Sequence, residues 1–209
     1  MKYSDPMTRT AIVHPESVIK PTKLELAAAW LPKQPWFSGT ADDIAIPGRF
    51  RFTDPAGEVG IETLLVTSRG VTYQMPVTYR GAPLDGAESS LITTMDHSIL
   101  GPRWVYDAPA DPVYVAEVLR VIAERDTEVE LSAGVKSAYA LGSGLRYAAD
   151  PHPVPHIVRV LDGSHVPDGF IAGTLTARWT DDNQERQAIL VIVWPSSEAV
   201  RQILAQLQN

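Results

Sequence analysis

Cysteine is absent from the 209 residues, which excludes a disulfide framework, a thiol nucleophile and a thiolate metal site. Long apolar runs are also missing. The longest goes from Ala188 to Trp194, well short of the ~20 residues a helix needs to cross a bilayer. Met1–Arg9 is polar and has none of the apolar centre of a signal peptide, so the expected location is cytoplasmic. Positive charge is in deficit, with 18 Lys and Arg against 25 Asp and Glu and a net charge of −7. Such a field repels a nucleic-acid duplex or an anionic membrane surface, and neither is an expected partner. Hydrophobic residues at 44% and charged residues at 21% are ordinary for a globular chain. The length suits one domain, or two small ones sharing a core.

Local patterns divide the chain. Residues 1–20, with Pro6 and Pro15, read as an irregular or edge-strand lead-in. Thr22-Lys23-Leu24-Glu25 is a capping box, and Leu24, Leu26, Ala27, Ala28, Trp30 and Leu31 then form a helical apolar stripe that Pro32 ends. Arg49–Thr53, Glu58–Thr67 and Val71–Arg80 read as strands. Ser68-Arg69-Gly70 makes the hairpin turn between the last two, and Pro76 places its strand at an edge or a bulge. Ser90–Met95 is a candidate fourth strand. Asp111-Pro112 opens a second helix, reaching about Arg125, with Val115, Val118, Leu119 and Ile122 on one face. Ser132 to Pro155 reads as loops broken by a weak strand. Ile157–Leu161, Ile171–Trp179 and Gln187–Trp194 read as strands, and Ser196 or Ser197 caps a last amphipathic helix carrying Val200, Ile203, Leu204 and Leu207. Strands and helices without regular alternation predict an α+β fold, with curved antiparallel sheet packed against a few helices.

Recognisable catalytic motifs are lacking as well. No phosphate loop, dinucleotide fingerprint, nucleophile elbow or His-Glu-x-x-His is present, and Leu141-Gly142-Ser143-Gly144 reads as a turn. His152, His156 and His165 lie among prolines that bar helical ligand spacing, so no metal site is expected. Glu58 and Glu62 share a strand face about 13 Å apart at ~3.3 Å per residue, too far for a glycosidase pair. They read as a solvated face or as partners of Arg80. The tryptophans could stack on a sugar, and each equally fits core or rim. Asp96, His97, Arg103 and Trp104 form the candidate ligand-contact group: a carboxylate beside an imidazole can tune it, and a guanidinium clamps anions. The competing reading is a structural polar network, since adjacent strand residues point to opposite faces.

Leu31-Pro32-Lys33-Gln34-Pro35-Trp36-Phe37-Ser38-Gly39 is the most distinctive stretch. It resembles the Leu-Pro-x-Gln-x-Trp-Phe-x-Gly-Lys signature in the N-terminal cap of bacterial maltokinases. Gln74-Met75-Pro76-Val77-Thr78-Tyr79-Arg80, Trp104-Val105-Tyr106-Asp107 and Asp111-Pro112 follow in the same order. The resemblance covers about residues 20–125 and marks Leu31, Pro32, Gln34, Trp36, Phe37, Gly39, Tyr106 and Asp107 as motif residues with structural roles. It divides the chain into a cap-like region, 1–127, and a C-terminal region of strands and a helix, 128–209, packed on the first as one unit.

Maltokinases phosphorylate maltose with ATP. Here Thr40 stands where the family has Lys, and nothing after residue 125 offers a catalytic-loop Asp with a following Asn or an Asp-Phe-Gly-like metal site. The chain also leaves no room for a kinase C-terminal lobe. The resemblance therefore implies a non-catalytic cap-like module linked to trehalose, maltose or α-glucan metabolism, with no cofactor. Its implied partners are a kinase, an α-glucan enzyme or a small sugar, and a homodimer through strand edges is compatible. The alternative is an enzyme of unrecognised chemistry in a cleft around Asp96, His97 and Arg103.

Overall fold

The computed structural model describes residues 10–11, 16–132, 138–142, 156–161, 170–181 and 183–195. In chain order these hold β1 (Thr10–Ala11), β2 (Ile19–Lys20), α1 (Lys23–Trp30), β3 (Ala45–Thr53), β4 (Gly60–Ser68), β5 (Val71–Arg80), β6 (Leu91–His97) and β7 (Gly101–Asp107). Then come α2 (Pro112–Glu124), β8 (Glu130–Leu131), β9 (Ala138–Gly142), β10 (His156–Ile157), β11 (Phe170–Asp181) and β12 (Gln184–Pro195). One sheet has the order β2-β6-β7-β5-β4-β3 with every pairing antiparallel, and it curls into a half-barrel. A second antiparallel sheet has the order β10-β12-β11-β9. β1 and β8 form a short parallel pair. The fold is α+β with curved antiparallel sheet.

Local chemistry explains the elements. α1 starts at the capping box: Glu25 N–H donates to Thr22 Oγ1 at 3.2 Å, and Thr22 N–H donates to Glu25 Oε2 at 2.7 Å. Of the expected stripe, Leu26, Ala27 and Leu31 are buried and Ala28 and Trp30 pack, partly buried, against the same core, while Leu24 is 48% exposed. A helix of eight residues lies on the sheet by one face only, and packing rather than propensity holds it. The β4–β5 turn puts both Arg69 and Gly70 at positive φ, 51° and 76°, as a two-residue hairpin of matching twist requires. α2 is capped by Asp111, whose side chain accepts from Val113 N–H at 3.0 Å. Its buried residues are Tyr114, Glu117, Val118, Val121 and Ile122, and the expected Val115 and Leu119 pack, partly buried, against the same core.

Two cores lie on opposite faces of the curled sheet. On one, Leu26, Ala27 and Leu31 pack on Leu64, Val66, Tyr73, Met75, Val77, Met95 and Val105. On the other, Phe50, Phe52, Ile61 and Leu65 pack against α2, and Ala138, Ala140, Leu175 and Ala177 of the second sheet join the same core. Leu64 and Leu65 are fully buried and face opposite cores, each burial contributing about 1.5–3 kcal/mol. Gly142 permits the close approach of the second sheet, because a Cβ there would overlap the α2 backbone at Val121 and Ile122.

Several expectations need correction. β5 is interior rather than at an edge, yet β7 ends at Asp107 opposite Val77, so Pro76 sits where that ladder has already stopped. Glu58 precedes β4, in a turn where its N–H donates to Asp54 Oδ2 at 3.0 Å. Residues 101–107 form a full strand, which the density of polar and aromatic side chains there conceals. The predicted last helix, His152 and His165 lie outside the described residues.

Candidate functional site

The group expected from the sequence sits on the β6–β7 hairpin. Asp96 pairs with Pro102 and His97 with Gly101 across the ladder. The His97 ring turns into the loop: its Nδ1 accepts from Ile99 N–H at 3.3 Å and Leu100 N–H at 3.2 Å, which requires an unprotonated Nδ1. Arg103 Nη2 donates to the Leu100 carbonyl at 2.7 Å. The structure thus brings His97 to the N–H and Arg103 to the carbonyl of Leu100, while Asp96 is exposed. Trp104 pairs across the sheet with Arg80 and Thr94 and is half-buried.

The motif stretch encloses Tyr73. After α1 the chain makes a single 3-10 turn, Leu31–Lys33, with Pro32 at its start, and Leu31 fully buried. Gln34 Nε2 donates to the Trp30 carbonyl at 3.3 Å. Trp36 and Phe37 pack on the Tyr73 ring with centroids at 6.1 and 4.9 Å. Ser38 N–H donates to the Tyr73 hydroxyl at 3.2 Å. Gly39 lies against Ser68 and Phe37 so closely that any Cβ would overlap both side chains. Ser68 Oγ accepts from Thr40 N–H at 3.0 Å and donates to the Thr40 carbonyl at 3.2 Å. The later motif residues are tied as firmly. Tyr106 is buried and its hydroxyl accepts from Leu84 N–H at 2.8 Å, and Asp107 holds Arg159 through both carboxylate oxygens.

The chief polar centre was not expected. Glu62 is 1% exposed on the α1 side of the sheet, where Lys23 Nζ meets its Oε1 and Oε2, both at 2.7 Å. Arg51 Nε stands at 3.3 Å, Arg49 Nε at 3.9 Å, and the Tyr79 hydroxyl donates at 2.9 Å. Burial alone would raise the Glu62 carboxyl, but Arg51, Lys23 and Arg49 more than offset it and hold the group far below the carboxylate range. Burial, and then the Glu62 charge, push the Tyr79 hydroxyl well up. Burial also lowers Lys23 despite its carboxylate partner. The sequence signal was available: Arg51 lies directly opposite Glu62 once β3 and β4 pair. Arg80 lies on the other face and binds Asp111 through two bonds of 2.7 Å.

Among the described residues, no group of three His, Asp or Glu side chains comes together as a metal site. No helix among them is long and apolar enough to cross a membrane. No curated protein matches the chain. The family model of the maltokinase N-terminal cap domain matches residues 30–111, less than half of the chain. The match spans the Tyr73 enclosure, β3 to β7, the Glu62 carboxylate and Asp111, and leaves out Lys23 and Arg159. Over those residues, the chain is similar to the maltokinase N-terminal cap domain.

Proposed function

We propose that the chain is a non-catalytic cap-like module of maltose, trehalose or α-glucan metabolism. It acts by binding, and its partner is a kinase or an α-glucan enzyme, or else a small sugar. The observation that carries this reading is the use made of the cap signature. Leu31, Gln34, Trp36, Phe37, Gly39, Tyr106 and Asp107 are engaged in building the sheet's own periphery. Side chains committed to enclosing Tyr73 and holding loops serve as scaffold, and the similarity to a kinase cap supplies the metabolic context.

The test is direct. The purified chain, mixed with ATP and maltose, is expected to release no ADP above background, and measurable turnover would overturn the reading. A thermal-shift series with maltose, trehalose, glucosamine, sugar phosphates and ATP, alongside titration with a maltokinase, separates sugar from protein binding. A ligand bound only by the native state raises its melting temperature. Failure of all of these to bind would also remove the proposal.

A further inference from the structure

The residues marked as a ligand-contact group divide between the two faces of β6 and β7. His97 and Arg103 share the face of Met95, which belongs to the α1-side core, and both hold the Leu100 loop. Asp96 and Trp104 stand on the opposite face with Thr94 and Arg80. Thr94 and Arg80 lie directly across from Trp104, one on each side, and Asp96, opposite Pro102, is its diagonal neighbour. Directly paired Cβ atoms are about 4.5–5.5 Å apart and diagonal ones about 7–8 Å, so all three side chains reach the indole. The chain between β5 and β6 closes one end. Both strands run antiparallel to β7 from opposite sides, so residues 81–90 pass over β7 to join them. The bond from Leu84 N–H to the Tyr106 hydroxyl, 2.8 Å long, places that crossing on the Trp104 face. The result is a bay with Trp104 as its floor, Arg80 and Thr94 as its sides, the crossing as its end wall and Asp96 at the open end.

The side chains of this bay have binding capacity to spare. Trp30 and Trp36 pack on the α1-side core, but Trp104, half-buried, belongs to neither core. Arg80 gives Nε and Nη2 to Asp111 and keeps Nη1. Among the described residues, nothing bonds that Nη1, the Thr94 hydroxyl, the Asp96 carboxylate or the Trp104 indole N–H. A neutral sugar ring matches this set. Its C–H face stacks on an indole, and its rim of hydroxyls both donates and accepts: Asp96 accepts, Arg80 Nη1 donates and Thr94 does either. Charge decides against a phosphate ester. Asp111 already neutralises Arg80, so Asp96 leaves these groups net negative in a chain of net charge −7. The geometry points to the Trp104 bay as a binding site for a neutral pyranose sugar, stacked on Trp104 with its hydroxyls oriented by Asp96 and Arg80. This rests on the small-sugar branch of the functional reading and gives it a location.

The probes are glucose, maltose and trehalose, with a glucose phosphate as the charged comparison, added to the full isotope-labelled chain. The indole N–H resonance of Trp104 is assigned by its loss in W104F. At least one neutral sugar is expected to shift that resonance while those of Trp30 and Trp36 stay in place, and the glucose phosphate to bind most weakly of the four. W104A leaves both cores intact and should lose the rise in melting temperature that the sugar gives. D96A should weaken binding about tenfold, the loss of one hydrogen bond to a charged group. A Trp104 resonance that no neutral sugar moves overturns the inference, and so does a folded W104A chain that binds as before or a glucose phosphate that binds tightest. Should neither Trp104 variant fold, D96A carries the test, and unchanged affinity there overturns the site. ATP turnover with maltose would remove the functional proposal and leave a sugar contact at Trp104 standing. A Trp104 resonance indifferent to sugar removes this site and leaves the protein partner of that proposal standing.

Discussion

At the scale of single residues, Glu62 has the most to lose. A carboxylate at 1% exposure on an interior strand costs several kcal/mol to desolvate, and only excellent geometry offsets that. Lys23, Arg51 and the Tyr79 hydroxyl provide it. E62Q keeps the shape and removes the charge, leaving Lys23 and Arg51 against a neutral amide. It is expected to lower stability at pH 7 by about 3–5 kcal/mol in urea denaturation. The sign of the pH dependence follows from the depressed carboxyl. The contribution is complete above the unfolded value of about 4.3 and fades as pH falls toward the folded one. The difference between the unaltered protein and E62Q should therefore shrink from pH 5 to pH 3, and a constant difference refutes the assignment. Strand alternation places Glu62 on a face but does not say what covers that face. The cover is Lys23, brought from 39 positions away by the capping box that starts α1, and no local pattern encodes that meeting.

At the scale of elements, what is legible depends on whether the determinants are local. The capping box, the Arg69-Gly70 turn and the Asp111-Pro112 helix start are complete within a few residues, and each forms where its pattern stands. β7 is different. Gly101-Pro102-Arg103-Trp104 shows no clean alternation, because Gly101 closes the hairpin at φ 75° and the rest gains its strand character from β5 and β6 on either side. The motif stretch lies between these cases. Its residues are conspicuous, but their task appears only once Tyr73 arrives from β5. Gly39 makes this testable. G39A would drive a methyl group into Ser68 and the Phe37 ring, disturbing the Thr40–Ser68 bonds that fasten the stretch to β4. Overpacking of this kind is expected to cost about 1–3 kcal/mol, with a change in near-ultraviolet circular dichroism as Trp36 and Phe37 shift on Tyr73. A melting temperature and aromatic spectrum equal to those of the unaltered chain would show that the close approach has no consequence.

For the whole molecule, the decisive feature is that α2 buries one face in a core that both sheets share. Ile61 and Leu65 of the half-barrel and Leu175 and Ala177 of the second sheet share one core with Val118, Val121 and Ile122. Neither sheet can leave without exposing the helix. The Arg159 contacts with Asp107 and Gln74 add a second tie at the β5 edge. Resemblance to a cap separates residues 1–127 from 128–209 on paper, but the apolar residues that join them are scattered over strands far apart in the chain, and their shared burial follows only from topology. Unfolding should accordingly be a single cooperative event, with tryptophan fluorescence and far-ultraviolet circular dichroism following one urea curve. L175A, which empties a site 1% exposed in that common core, should lower stability by about 2–5 kcal/mol while the two probes stay coincident. If the second sheet were an independent unit, the same substitution in a W179F/W194F chain, which leaves no tryptophan on β11 or β12, would split the curve, its circular-dichroism loss preceding the fluorescence change from Trp30 and Trp36 around Tyr73. Coincidence after a deliberate weakening of one side is therefore the stronger evidence, since two separate units of similar stability could overlap by chance only before it.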